Sequence, residues 1–171
     1  MKVPLLDLKP QYQSIKDQIM SSLDEVITSQ GFILGPNVEK LEQEIAAYCE
    51  AEYAVGVNSG SDALLLSMMA LDIKPGDKVI TTPITFAASA NCIRYCGGEV
   101  VFCDIDPETY LLDIKKVREL IEQSPKGTYK GIIPVDFTGR AVDLAAYREL
   151  ADQYDLWIIE DACHAPGGYF K

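Results

Sequence analysis

Three short stretches of this chain carry residue types suited to chemistry rather than packing. The first is VGVNSGSDALLLSMMAL, in which Asn58-Ser59-Gly60-Ser61-Asp62 separates a short apolar run from a segment that is apolar almost all round. If that segment is a helix, the free N–H groups of Ser61, Asp62 and Ala63 point outward with the positive end of its dipole, and Gly60 lets backbone approach a ligand closely. That arrangement cradles a phosphate. The second is TTPITFAASAN, where Phe86 follows a strand end by a few residues and offers a flat surface to a flat ligand. The third is LWIIEDACHAPGG, where a buried-looking apolar run ends in Glu160-Asp161. A carboxylate at that depth is costly unless a cation or several donors satisfy it, so Asp161 requires a partner.

Each stretch also has a purely structural explanation. An ordinary capped helix, a core aromatic and an internally bonded carboxylate would look the same, and the Asp62 carboxylate must turn away from any phosphate bound beside it. Taken together, the three supply a phosphate site, a ring surface and a partner for a cationic ring nitrogen, which are the parts of pyridoxal 5′-phosphate (PLP). A fixed carboxylate would keep the ring nitrogen protonated and so deepen the electron sink for which PLP is used. At ~4 Å and an effective dielectric of ~20, opposite charges attract by about 4 kcal/mol before desolvation. His164, three residues beyond Asp161, is in reach of the ring's phenolic oxygen. A nucleotide-binding α/β module is the rival reading, but neither GxGxxG nor GxxxxGK[ST] occurs.

These residues need a scaffold, and the pattern of the chain describes one. Apolar runs of strand length near 53–57, 78–82, 99–104, 131–137 and 156–160 alternate with helical patterns beginning near Ser61, Thr85, Asp113 and Asp143, all residue types that cap a helix N-terminus. That alternation predicts an α/β fold with a mostly parallel sheet covered by helices, whose ligands collect beyond the carboxyl ends of the strands. Two helices come first. One carries Ile15, Ile19, Leu23, Val26 and Ile27 on one face; the other is capped by Asn37 and carries Val38, Leu41, Ile45 and Tyr48. The loop GFILGP joins them. Residues 1–50 therefore read as an N-terminal helical segment and 51–171 as an α/β domain.

Composition narrows the class further. With 48% apolar residues in 171, the chain can bury a sizeable core, and a formal net charge of −11 with scattered cations disfavours nucleic acid and anionic membranes. No apolar stretch approaches a membrane span and no signal-peptide pattern opens the chain, so a cytoplasmic location is expected. Five cysteines without a CxxC pair read as reduced core thiols, and a single histidine excludes a His-rich metal centre.

The quoted segments, in order with GFILGPNVEKLEQEIAAY, PVDFTG and IIEDACHAPGG, resemble the DegT/DnrJ/StrS family of PLP-dependent sugar aminotransferases, of the fold-type-I aspartate aminotransferase superfamily. The resemblance implies a three-layer α/β/α large domain and an active site shared between two copies in a homodimer. It implies that Ser61 and the Asp62 backbone hold the cofactor phosphate, that Phe86 stacks on the ring, and that Asp161 and His164 meet the ring nitrogen and phenolic oxygen. Ile33, Leu34 and Gly35 would border a sugar-nucleotide site. Cys163 stands where many relatives carry a small residue, and reads as packing rather than as a nucleophile. DACHAPGG is most similar to 4-aminotransferases of pseudaminic acid biosynthesis, which implies a UDP-4-keto-6-deoxy-N-acetylhexosamine acceptor and glutamate as donor. Family members run to well over twice this length, and the lysine that binds the cofactor covalently follows the EDA motif by roughly two strands. Lys171 comes too early for that role, so the resemblance implies a chain that stops inside the large domain, before the catalytic lysine and the C-terminal domain, and is inert alone; a truncated, non-catalytic family member that binds a partner or regulates is the second rival reading.

Overall fold

A computed structural model describes residues 3–170; Lys171 lies outside the described residues. The chain divides into two units, Met1–Gly56 and Val57–Lys171.

In the first unit, α1 (Lys9–Ser29) has proline in its first turn and ends at Gln30, whose φ of 56° is left-handed. Helix α2 (Pro36–Tyr48) is capped by extended Gly35 rather than by Asn37. Pro36 explains the shift: its fixed φ suits the first helical position, where its missing N–H costs nothing. Between the helices, Leu34 takes a left-handed φ of 46° and Gly35 packs so closely that a Cβ would lie 2.6 Å from the Gly31 carbonyl oxygen. The glycine at 35 is therefore required by the closure of the loop itself. The expected strand at 53–57 is absent. The Gly56 N–H donates to Glu42 Oε1 at 2.6 Å, and Tyr53 and Val55 are exposed. An extended segment becomes a strand only through a neighbour's hydrogen bonds, and among the described residues no strand pairs with this one.

The second unit begins with α3 (Gly60–Ala70) and continues as β1 (Lys78–Thr81), α4 (Ala88–Tyr95), β2 (Glu99–Phe102), α5 (Ile114–Glu122), β3 (Tyr129–Ile133), a 3-10 turn at Phe137–Gly139, α6 (Leu144–Tyr154) and β4 (Trp157–Ile158). The four strands form one parallel sheet in the order β2-β1-β3-β4. Strand alternation sends neighbouring side chains to opposite faces. Val79 and Ile133 pack with Leu64, Met68 and Ile93 of α3 and α4, whereas Ile80 and Ile132 pack with Val117, Tyr147 and Leu150 of α5 and α6. The result is a three-layer α/β/α unit. Gly131 is needed in β3 because the Trp157 ring of β4 lies over it; a Cβ there would sit 2.1 Å from that ring.

The element ends refine several sequence expectations. Asp113 and Asp143 cap α5 and α6 through their side chains, but α3 is capped by Ser59, and Thr85 caps nothing, since α4 starts at Ala88. Of the five cysteines, Cys92 and Cys103 are buried and Cys96 partly so, whereas Cys49 and Cys163 are exposed and are not core thiols; none forms a disulfide. No described helix is long and apolar enough to cross a membrane.

Candidate active site

From β1 the chain crosses to β2 on one side of the sheet and then returns to β3 on the other, so the connections leaving β1 and β3 diverge. In an open α/β sheet that divergence leaves a crevice at the carboxyl ends of the strands. The crevice is present, with a volume of about 230 Å³. Thr85 and Phe86 follow β1 into it, Val135, Asp136 and Phe137 follow β3, Asp161, Cys163 and His164 follow β4, and Ser59, Gly60 and Ser61 reach it from the start of α3. Its volume lies below the ~300–1,000 Å³ typical of pockets for drug-sized ligands, which suits one compact ring compound better than a whole sugar nucleotide.

Asp161 is fixed here by backbone and side chain together. Pairing of β3 with β4 continues past the strands: Asp161 N–H donates to the Pro134 carbonyl at 2.9 Å, and Asp136 N–H donates to the Asp161 carbonyl at 3.0 Å. Strand alternation leaves Glu160 exposed and Asp161 buried. The Asp161 side chain accepts from Ser89 Oγ at 2.7 Å through Oδ2, while Oδ1 has only a 3.4 Å contact from Cys163 N–H. The Asp161 carboxylate beside the Cys163 thiol, with partial desolvation, pushes the thiol pKa up to about 11. A thiol held protonated is a poor nucleophile. Burial raises the Asp136 pKa, against the Val142 N–H that its Oδ1 accepts at 2.9 Å, and the Asp161 charge raises it further.

At the start of α3 the structure revises the expected cradle. Asp62 N–H is taken by Ser59 Oγ at 3.1 Å and Ala63 N–H by the Ser59 carbonyl at 2.9 Å. Among the described residues, only the Gly60 and Ser61 amides of that turn are left without an acceptor, joined by the Ser61 hydroxyl. The Asp62 carboxylate accepts from Asn58 and Ser59 and lines a neighbouring cleft instead. Phe86 is 76% exposed and borders both clefts, so it is not a core aromatic. His164 is exposed at the rim of the crevice. Ile33, Leu34 and Gly35 belong to the other unit, where Ile33 and Leu34 are exposed.

Sequence reading missed Asp136 and Ser89. The first follows an apolar run at a strand end and was open to the same argument as Asp161. Nothing in the sequence marks the second, because a serine four residues after Thr85 in a helical pattern looks like packing.

The sequence profile of the DegT/DnrJ/EryC1/StrS aminotransferase family matches residues 13–171. A pleiotropic regulatory protein of Geobacillus stearothermophilus is 43% identical over 171 residues, 100% of this chain and 45% of the relative. UDP-2-acetamido-2-deoxy-3-oxo-D-glucuronate aminotransferase of Pseudomonas aeruginosa is 37% identical over 99% of this chain and 46% of its own length. dTDP-3-amino-3,4,6-trideoxy-alpha-D-glucose transaminase of Streptomyces venezuelae is 38% identical over 99% and 44%. The chain thus spans less than half the length of these curated relatives.

Among solved structures, DesV of S. venezuelae superposes with a TM-score of 0.90 at 38% identity, over 97% of this chain and 44% of that one. NtdA of Bacillus subtilis, solved with the amine form of the cofactor (PMP), gives 0.89 at 32%, over 98% and 38%. Helicobacter pylori PseC, of pseudaminic acid biosynthesis, gives 0.81 at 25%, over 89% and 40%. The crevice fits the cofactor that these enzymes use: free amides and a hydroxyl at a helix N-terminus suit its phosphate, an exposed aromatic its ring, and a buried carboxylate its ring nitrogen. A Cβ at position 60 would lie 3.3 Å from Cys163 Sγ, so glycine there keeps the cleft floor open. By sequence, fold and the residues gathered at its sheet's carboxyl edge, the chain belongs to the DegT/DnrJ/EryC1/StrS aminotransferase family.

Proposed function

We propose that this chain forms the cofactor-binding part of an enzyme that transfers an amino group from an amino-acid donor, glutamate, to a keto-sugar nucleotide. The observation that carries this reading is the convergence of Gly60, Ser61, Phe86, Asp161 and His164 on one crevice at the strand ends. Bound there, PLP supplies an electron sink that lets an amino group pass between donor and ketone. The residues of this chain bind and orient it. The Gly60 and Ser61 amides and the Ser61 hydroxyl hold the phosphate at the positive end of α3, aided by the Asp62 backbone only through the shape of the turn. Phe86 covers one face of the ring, Asp161 keeps a proton on the ring nitrogen, and His164 meets the phenolic oxygen.

Covalent attachment of the cofactor is assigned to a lysine outside the described residues. No described lysine lines the crevice, and Lys78 and Lys130 lie in the opening residues of β1 and β3, toward the other end of the sheet. The crevice's size leaves the sugar nucleotide to be bound largely elsewhere, with Ile33, Leu34 and Gly35 at its border. The exposed apolar stripe Ile15, Ile19, Leu23 and Ile27 of α1 supports assembly as a homodimer.

The position of the ketone has two readings. DACHAPGG favours carbon 4 of a UDP-4-keto-6-deoxy-N-acetylhexosamine, as in pseudaminic acid biosynthesis. The relatives at 37% and 38% identity carry names with a 3-oxo or 3-amino sugar, against 25% for PseC, and this favours carbon 3. The test is the gene's full product, loaded with PLP and glutamate and offered 3-keto and 4-keto UDP-sugars, with glutamate-dependent product followed by mass spectrometry. Amination of neither class would overturn the reading; amination of one fixes the position.

A further inference from the structure

Ser89 is fully buried on the face of α4 that also buries Cys92 and Ile93, a position where an apolar side chain would pack without cost. A buried hydroxyl is expensive unless it is bonded. Its bonds run in one direction. Ser89 Oγ lies 2.7 Å from Asp161 Oδ2 and 2.9 Å from Thr85 Oγ1. An unprotonated carboxylate only accepts, so the single Ser89 proton goes to Asp161 and the Thr85 hydroxyl donates to Ser89. The Phe86 carbonyl, 3.3 Å from Ser89 Oγ, is the longer alternative acceptor. The chain Thr85–Ser89–Asp161 therefore links the turn that carries the Phe86 ring to the carboxylate across the crevice, and it engages one carboxylate oxygen while leaving Oδ1 with only the 3.4 Å Cys163 contact.

We infer that Ser89, backed by Thr85, is a positioning residue that fixes the rotation of the Asp161 carboxylate so that its free oxygen meets the cofactor's ring nitrogen. This rests on the assignment of Asp161 to that nitrogen. Charge-assisted bonds of this length are about twice as strong as neutral ones, and donors in series strengthen each other. Without Ser89 the carboxylate turns, and the ring nitrogen loses part of its partner although Asp161 is still present.

The test uses the full chain, freed of cofactor, and two ligands that form no covalent bond to it: pyridoxamine 5′-phosphate and its 1-deaza analogue, with CH in place of the ring nitrogen. Calorimetry gives the ratio of their affinities, which reads the nitrogen contact alone. Ser89→Ala is expected to lower that ratio roughly tenfold by weakening only the nitrogen-containing ligand, the scale of one charge-assisted bond. Thr85→Val should lower it in the same sense by roughly threefold. Equal weakening of both ligands by Ser89→Ala, or an unchanged ratio, overturns the inference, because a merely structural serine would act on both alike. Where circular dichroism shows Ser89→Ala unfolded, Thr85→Val decides: a lowered ratio supports the relay and an unchanged one overturns it. Asp161→Ala separates the two levels. If it abolishes the preference while Ser89→Ala does not, only the positioning role falls; if it leaves the preference intact, the assignment of Asp161 falls and the relay with it.

Discussion

The Cys163 thiol lies beside the Asp161 carboxylate, which makes the charge on Asp161 readable from that thiol. The thiol is pushed up to about 11 from an ordinary 9.0, first by the Asp161 carboxylate beside it and then by partial desolvation. Below both values its thiolate fraction is then roughly a hundredfold smaller than that of an ordinary thiol, so alkylation of Cys163 at pH 8 should be slow and should accelerate as pH rises toward 11. Asp161→Asn removes the charge that holds the proton, and iodoacetamide labelling followed by peptide mapping should find Cys163 faster in that variant. An unchanged rate would mean that the carboxylate does not face the thiol. The same substitution in the gene's full product should cost several orders of magnitude in amino transfer with the fold intact, since an amide cannot keep the ring nitrogen's proton and each ~1.4 kcal/mol is tenfold in rate. Near-normal turnover would remove Asp161 from the site. Asp161 was legible in the sequence because a carboxylate at the tip of an apolar run demands a partner; the identity of that partner, 72 residues away, was not.

At the scale of elements, the site depends on how tightly β3 and β4 are joined, because that pairing carries the Asp161 backbone. Gly131 is the contact point: with a Cβ at 2.1 Å from the Trp157 ring, Gly131→Ala must push β4 away. Overpacking of this kind costs roughly 1–3 kcal/mol, and chemical denaturation should show a loss of that size that Trp157→Phe partly relieves. Full stability of Gly131→Ala would mean that the ring moves freely aside. Asp136, on the turn after β3, should behave oppositely. Its folded-state pKa is raised, first by burial, so the neutral form is favoured in the fold and its stabilisation is lost as pH rises above the ordinary carboxylate value. Asp136→Asn keeps an acceptor for Val142 N–H, removes the charge, and should raise Tm at pH 7 but not below pH 4. The order of these elements was legible from alternating apolar runs and turn residues. Their ends were less so: Pro36 moved one cap to Gly35, and Thr85, read as a cap from its residue type, bonds Ser89 instead. The apolar run at 53–57 failed as a strand because a strand's hydrogen bonds belong to its neighbour, which periodicity cannot reveal.

For the whole molecule, the chain spans less than half the length of the curated relatives it matches. The crevice supplies groups that would hold a phosphate, a ring and a ring nitrogen, and among the described residues none of its lining is a lysine, while Lys74 and Lys116 are engaged by Asp72 and Asp104. Noncovalent holding and covalent attachment thus separate physically. The 171-residue chain should bind PLP through Ser61, Phe86 and Asp161, weakly and reversibly, because the bond that would make the complex long-lived needs a nucleophile that the described lining of the crevice does not offer. Borohydride reduction after incubation with PLP, followed by peptide mapping, should therefore give only scattered substoichiometric labelling of surface lysines, and dialysis should remove most of the cofactor. A single stoichiometric adduct on Lys171 would place the catalytic lysine ten residues after Asp161. It would then assign both cofactor attachment and proton transfer to the chain's last residue, contrary to the lysine position expected here.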